Sequence, residues 1–100
     1  MAFIDDLVFQ FEDNETGGQF TAHDAEGQRA ELTFSKAGEK LIIADHTGVP
    51  DAFRGKGVGQ ALVERLVSYV REEKKKLVPL CPFVKAQLKR HPEWQDVLES

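Results

Sequence analysis

The sequence predicts an α+β fold: an antiparallel four-stranded meander, then a βαβ unit with a parallel fifth strand and a C-terminal helix. Three observations carry this. Short β-rich runs, some alternating apolar and polar residues with period two, fill the chain up to residue 46. From residue 58 the apolar spacing becomes helical. Between the two regimes stands the glycine-rich turn Arg54-Gly55-Lys56-Gly57-Val58-Gly59.

The elements follow in order. Residues 7–12 are rich in β-formers and end in Asp13-Asn14-Glu15-Thr16-Gly17-Gly18, a loop signal. Residues 19–23 form the next strand, turned by Asp24-Ala25-Glu26-Gly27. Residues 30–34 alternate as a half-buried strand does, Lys36-Ala37-Gly38-Glu39 turns the chain again, and 40–46 are the fourth strand. Val58, Leu62, Leu66 and Val70, with Ala61, Val63 and Val67 beside them, then give a helix ending near Lys74. Residues 77–80 are a short fifth strand in which Pro79 limits the ladder. Residues 83–90 form the last helix, opened by Pro82 and closed before Pro92. A strand–turn–helix–strand unit makes the last two strands parallel.

One hundred residues make a single domain, 1–100, and 41% hydrophobic with 30% charged residues excludes a disordered tail. The only cysteine, Cys81, excludes an internal disulfide and a thiolate zinc cluster. No metal is expected. Met1 to Asp6 shows neither the basic segment nor the apolar run of a leader, and no stretch reaches the roughly 20 apolar residues of a membrane span. A cytoplasmic protein without membrane partners is expected. The net charge of −4 is asymmetric: residues 1–53 carry 3 basic and 11 acidic side chains, and residues 54–100 carry 10 basic and 6 acidic. A chain-wide basic footprint for nucleic acid is missing, and the lysine run 74–76 follows Glu72 and Glu73 without interleaved aromatics. Nucleic acid is not an expected partner. The basic second half suits a small polyanion.

The glycine turn carries the chemistry. Glycines permit positive φ and let a ligand approach backbone N–H groups, while the first turn of a helix offers unpaired N–H groups and a positive dipole end. Together they form a site for phosphate or pyrophosphate. The P-loop pattern fails because Lys56 precedes Gly57 with no Ser or Thr following; the dinucleotide pattern fails because position 60 is Gln60. Arg54, Gly57 and Gly59 do satisfy [Gln/Arg]-x-x-Gly-x-[Gly/Ala]. A flexible strand-to-helix turn is the plain alternative.

That motif resembles the acetyl-CoA pyrophosphate motif of the GCN5-related N-acetyltransferases. With His46-Thr47-Gly48-Val49-Pro50, Pro79-Leu80-Cys81-Pro82-Phe83 and His91-Pro92-Glu93-Trp94-Gln95-Asp96, the chain resembles that family's small single-domain branch over about residues 5–98. The resemblance implies the family's α+β fold, with strands four and five splayed to admit pantetheine. It implies acetyl-CoA as co-substrate, its pyrophosphate held by the amides of Gly55, Lys56, Gly57, Val58 and Gly59. It also implies a pantetheine bond from the backbone of Val49, an oxyanion-donating amide at Thr47, and added charge from Arg54 and Lys56. The chain departs from the wider family in two ways. Residues 12–18 are too short for the helices that wall the acceptor pocket, so the acceptor side is open or completed by a second subunit in a homodimer. No tyrosine lies on the last helix to act as general acid, and the only one, Tyr69, sits on the earlier helix.

Cys81 at the end of the fifth strand is the substitute acid, or a nucleophile when ionised; packing is its plain reading. His46 across the expected splay is the candidate base, needed because freeing the lone pair of a lysine-like amine at neutral pH costs roughly 4.6 kcal/mol. A histidine tied to the backbone or to the neighbourhood of Asp45 is the plain reading. Trp94 and Phe83 offer rings to an adenine, with core placement expected for both. Two functions remain open: acetyl-CoA-dependent N-acetylation of an unidentified amine, and a CoA- or acyl-CoA-binding module without turnover, with or without an acetyl-Cys81 state.

Overall fold

The computed structural model describes residues 6–98; the segment read for a leader falls, apart from Asp6, outside that range. Five strands form one sheet in sequence order, β1 (Val8–Asp13), β2 (Gly17–His23), β3 (Arg29–Ala37), β4 (Leu41–Gly48) and β5 (Lys76–Pro79). The first four pair antiparallel and β4 pairs parallel with β5. Helix α1 (Val58–Glu72) supplies the crossover between them and α2 (Pro82–Arg90) follows β5. The chain therefore has the expected α+β topology.

Side-chain alternation decides which face of the sheet is covered. Phe20 and Ala22 of β2, Ala30, Leu32 and Phe34 of β3, and Ile42 and Ala44 of β4 are all buried on one face. Helix α1 lies over them with Val58, Leu62, Val63, Leu66, Val67 and Val70 buried. Each such aliphatic side chain contributes about 1.5–3 kcal/mol by leaving water. Lys74, in the left-handed region at φ 57°, ends the run, and the Lys75 N–H returns to the Val70 carbonyl at 3.0 Å. The other face carries the polar residues Glu31, Thr33 and Ser35, half-buried, and Asp45 and His46, exposed.

Several boundaries shift by one to three residues from the expected ones, and two of the shifts have a clear cause. Gly17 and Gly18 are not loop but the first pairs of β2, opposite Ser35 and Phe34 of β3, with Gly18 also opposite Asp13 of β1. A Cβ on Gly17 would strike the Phe34 carbonyl oxygen, and one on Gly18 the Glu12 carbonyl oxygen. The turn itself shrinks to Asn14, Glu15 and Thr16, fastened by Asn14 Oδ1 accepting from the N–H groups of Thr16 (2.9 Å) and Gly17 (3.1 Å). Strand β3 also runs on through Ala37, so the next turn starts at Gly38, whose φ of 72° suits glycine.

Strand β4 carries a bulge. Thr33 pairs with His46 while Phe34 pairs with Ala44, leaving Asp45 as the extra residue. Strict alternation from buried Ala44 would put His46 inside and Thr47 outside. The bulge reverses this: His46 shares the open face with Thr33, and Thr47 sits opposite buried Leu32.

After α2 a 3₁₀ segment, Pro92–Val97, folds back with Trp94 and Val97 buried. Arg71 of α1 grips the Asp96 carboxylate with two bonds, Nε at 3.0 Å and a terminal nitrogen at 2.7 Å, while Lys76 of β5 donates to the Asp96 carbonyl at 2.6 Å. The Arg71 hydrogen bond holds the Asp96 carboxyl below its usual range. A depressed carboxylate pKa adds stability above the unfolded-state value and loses it as pH falls through the folded-state value. Asp96→Asn should therefore lower Tm at neutral pH, and the gap from wild type should close in acid; thermal melts across that range check it.

Candidate functional site

Most of the expected site residues, His46 excepted, gather where β4 and β5 part. The parallel ladder runs from Leu41↔Lys76 to Ala44↔Pro79, and one more bond joins the Cys81 N–H to the Ala44 carbonyl at 3.0 Å. Strand β4 continues to Gly48 with no further pairing to β5, because Pro79 ends that strand and Pro82 opens α2. The edge of β4 beyond Ala44 thus faces a gap.

Beside the gap lies a cleft of ≈ 700 Å³. Its walls include Thr47 and Val49 at the end of β4, Arg54, Gly55, Gly57, Val58 and Gly59 of the turn, and Phe83, Gln87 and Arg90 of α2. The turn is positioned by a 3₁₀ segment, Asp51–Phe53, whose Phe53 is 1% exposed and anchors the connection in the core. Gly55 and Gly57 have φ of 73° and 80°, a conformation costly for a residue with a Cβ, and a Cβ on either would meet nothing within 4 Å. Gly57 is the N-cap of α1 and offers no side chain to the helix. The Ala61 N–H reaches the Gly57 carbonyl at 3.0 Å, so the N–H groups of Val58, Gly59 and Gln60 precede the first intrahelical bond. No acidic residue lies in that first turn to offset the positive end of the dipole.

Gly59 has a different reason to be glycine. A Cβ there would lie 2.5 Å from Phe83 Cζ, so its bare Cα seats the Phe83 ring. Phe83, expected in the core, is instead 37% exposed and walls the cleft; Trp94 is in the core, stacked on His91 at 4.1 Å. Arg54 lies at the cleft and pairs with Asp51 (3.1 Å), both largely exposed. Lys56 is exposed within the turn.

Thr47 and Cys81 are brought together, with Thr47 Oγ1 3.4 Å from Cys81 Sγ. Cys81 is 5% exposed and is the N-cap of α2. Burial opposes its ionisation and is the largest single influence. The Thr47 hydroxyl, with the backbone N–H groups of Val84, Phe83 and Thr47, outweighs burial and lowers the thiol pKa. The Cys81 side chain closes no capping hydrogen bond at the start of α2. Thr47 therefore stands beside the sulfur at the edge of the gap.

His46 is not with them. The bulge leaves it on the open face, its side chain 64% exposed and Nε2 4.0 Å from the Glu31 carboxylate. Tyr69 is far from the cleft, ringed by Phe11, Phe20 and Phe34 at 5.1–6.1 Å; burial raises its pKa. A second groove of ≈ 780 Å³ between β1 and α1, lined by Phe9, Phe11 and Tyr69, stands at the other end of the sheet and has no glycine turn. Among the described residues no group of three His, Cys, Asp or Glu is placed to hold a metal, and no helix is long and apolar enough to cross a membrane.

Sequence reasoning missed Gln87 and Arg90 as cleft residues. Their spacing from Phe83, i+4 and i+7, is the helical-face signal that would have grouped them.

Comparison with known proteins agrees with this geometry. The pattern of the GCN5-related N-acetyl-transferase family matches residues 19–97. Protein NATD1 of Xenopus tropicalis is 36% identical over 64 residues, which are 64% of this chain and 59% of that protein. Its Homo sapiens counterpart is 33% identical over 64 residues, covering 64% of this chain and 57% of that protein. The chain thus spans less than two thirds of the length of these curated relatives. A GCN5-like protein from Staphylococcus aureus, solved in solution by NMR, superposes with a TM-score of 0.70 at 32% identity, over 91% of this chain and 88% of that one. Nourseothricin acetyltransferase shares the fold, with a TM-score of 0.58 at 20% identity over 74% of this chain and 58% of its own. A parted β4–β5 pair beside a glycine-capped helix, within a sequence that fits the family pattern over most of its length, places this chain in the GCN5-related N-acetyltransferase family.

Proposed function

We propose that this protein transfers an acetyl group from acetyl-CoA to the nitrogen of a small or peptide-borne amine. The observation that carries the reading is the gap past Ala44, with Thr47 and Cys81 in contact beside it and a bare helix N-terminus at its side. The residues present fit coenzyme A: N–H groups for the diphosphate on α1, an unpaired strand edge for the amides of pantetheine, and Thr47 with Cys81 at the end of that edge. When bound, acetyl-CoA supplies an activated acyl carbon and a thiolate leaving group.

The chain's own residues do the rest. The N–H groups of Val58, Gly59 and Gln60 and the charge of Arg54 hold the anion; Val49 and Thr47 align the arm. The Thr47 N–H donates to the thioester oxygen as negative charge grows there. As the amine nitrogen bonds to the acyl carbon and the carbon–sulfur bond breaks, Cys81 gives its proton to the departing sulfur. Its lowered pKa favours that donation. The amine approaches from the open face, where the acidic side chains of the first half attract a cation.

A second reading rests on the same sulfur. A thiol with a lowered pKa, already beside the Thr47 hydroxyl, is also suited to take the acyl group itself, forming a thioester at Cys81 while coenzyme A leaves with a proton. The protein would then bind and store an acyl group without an amine acceptor. Released thiol measured with acetyl-CoA and polyamine, aminoacyl or lysine-peptide acceptors tests the first reading: acceptor-dependent release is expected. Release of one equivalent without acceptor, with one acetyl group added to the intact mass and lost in Cys81→Ala, would select the second. Binding of coenzyme A with neither result would remove both.

A further inference from the structure

Among the described residues one buried side-chain polar atom lacks a hydrogen-bond partner: Gln87 Oε1. Gln87 is 8% exposed, flanked on α2 by buried Val84 and Leu88. Burying a carbonyl oxygen with no donor is unfavourable, and a leucine or methionine would fill the same space without that penalty. The placement of this residue is specific. It lies on the face of α2 that walls the cleft, one turn past Phe83 and one before Arg90, across from the glycine turn. A polar atom left unsatisfied in the wall of a binding cleft is satisfied when the ligand brings the missing donor.

We infer that Gln87 accepts a hydrogen bond from an N–H of the bound coenzyme, and so acts as a recognition residue of this cleft; the inference rests on the proposed occupancy by coenzyme A. The phosphates carry no N–H, so the donor is either the adenine amino group or a pantetheine amide. The terminal torsion of a glutamine is soft, so turning its oxygen toward a ligand in the cleft leaves the helix undisturbed. Val84 and Leu88 hold the stem of α2 in the core meanwhile.

The test measures calorimetric binding of coenzyme A and of adenosine 3′,5′-bisphosphate, which lacks pantetheine, to wild type, Gln87→Leu and Gln87→Met. Both variants remove the oxygen and keep the bulk, and the second serves if the first folds poorly. Their unliganded Tm should equal or exceed that of wild type, because an unsatisfied buried acceptor has gone. Their Kd for coenzyme A should rise about 10- to 100-fold, the range for stranding one buried partner. Equal weakening for the bisphosphate assigns the donor to adenine; weakening for coenzyme A alone assigns it to pantetheine. If wild type binds coenzyme A and both variants match it, Gln87 only packs and the inference is overturned. If wild type does not bind coenzyme A, it is the proposed occupancy that fails.

Discussion

Gly57→Asp is expected to leave the fold intact and weaken coenzyme A binding by at least about 100-fold, equivalent to ~2.7 kcal/mol. Gly57 sits at φ 80°, where a Cβ meets no neighbouring atom, so the substitution strains the backbone without a collision. Asp and Asn tolerate that region better than other side chains, which keeps the stability cost to about 1–2 kcal/mol. The loss in binding is larger for two reasons. The carboxylate stands beside the N–H groups of Val58, Gly59 and Gln60 that would hold the diphosphate, and it adds a negative charge against the ligand's own. Gly57→Asn separates these effects, since it keeps shape and strain and removes the charge. It should weaken binding by less than the aspartate does. Calorimetry on both variants, with Tm as the folding control, checks the order wild type, Asn, Asp. Equal affinity in all three would mean that the anion does not sit on the start of α1.

Much of this architecture was legible because it depends on local periodicity. Val58, Leu62, Leu66 and Val70 recur every four residues and all four are buried, so the sequence alone located the helix that positions the turn. The glycine turn was legible for a similar reason: positive φ at Gly55 and Gly57 is a backbone demand that composition reveals. Gly17 and Gly18 misled, because paired glycines signal a loop locally, and only the close approach of neighbouring strand backbone explains them in β2. The bulge at Asp45 was hidden altogether. One unpaired residue has no compositional mark, yet it decides which face His46 and Thr47 occupy. His46 and Cys81 were both candidates from sequence; that one faces open solvent and the other a half-buried Thr47 follows from that single inserted residue. The missing donor to Gln87 Oε1 was equally hidden, since it is defined by what three-dimensional neighbours fail to supply.

Cys81→Ser should lower kcat about 10²- to 10⁴-fold, the usual worth of a positioned acid or nucleophile, and the pH profile should say which role is lost. The thiol pKa is lowered because the Thr47 hydroxyl and three backbone N–H groups together outweigh burial. As a general acid Cys81 must be protonated, so the wild-type rate falls as pH rises through that lowered value. As a nucleophile it must be ionised, so the rate rises over the same interval. Serine ionises far higher, and its profile should be flat there in either case. Stability gives a readout that needs no substrate. A folded-state pKa below the unfolded value, about 8.5 for a free thiol, adds stability that is present above the unfolded value and lost as pH falls through the folded one. The Tm advantage of wild type over Cys81→Ser should therefore grow as pH rises through the lowered folded-state value and level off above the unfolded one, about 8.5. An advantage that stays constant would show that Thr47 and the start of α2 do not hold a charge on sulfur, and neither role for Cys81 would survive. A growing advantage with a falling rate fixes the acid role, because the same ionisation that strengthens the fold then removes the proton that the leaving sulfur requires.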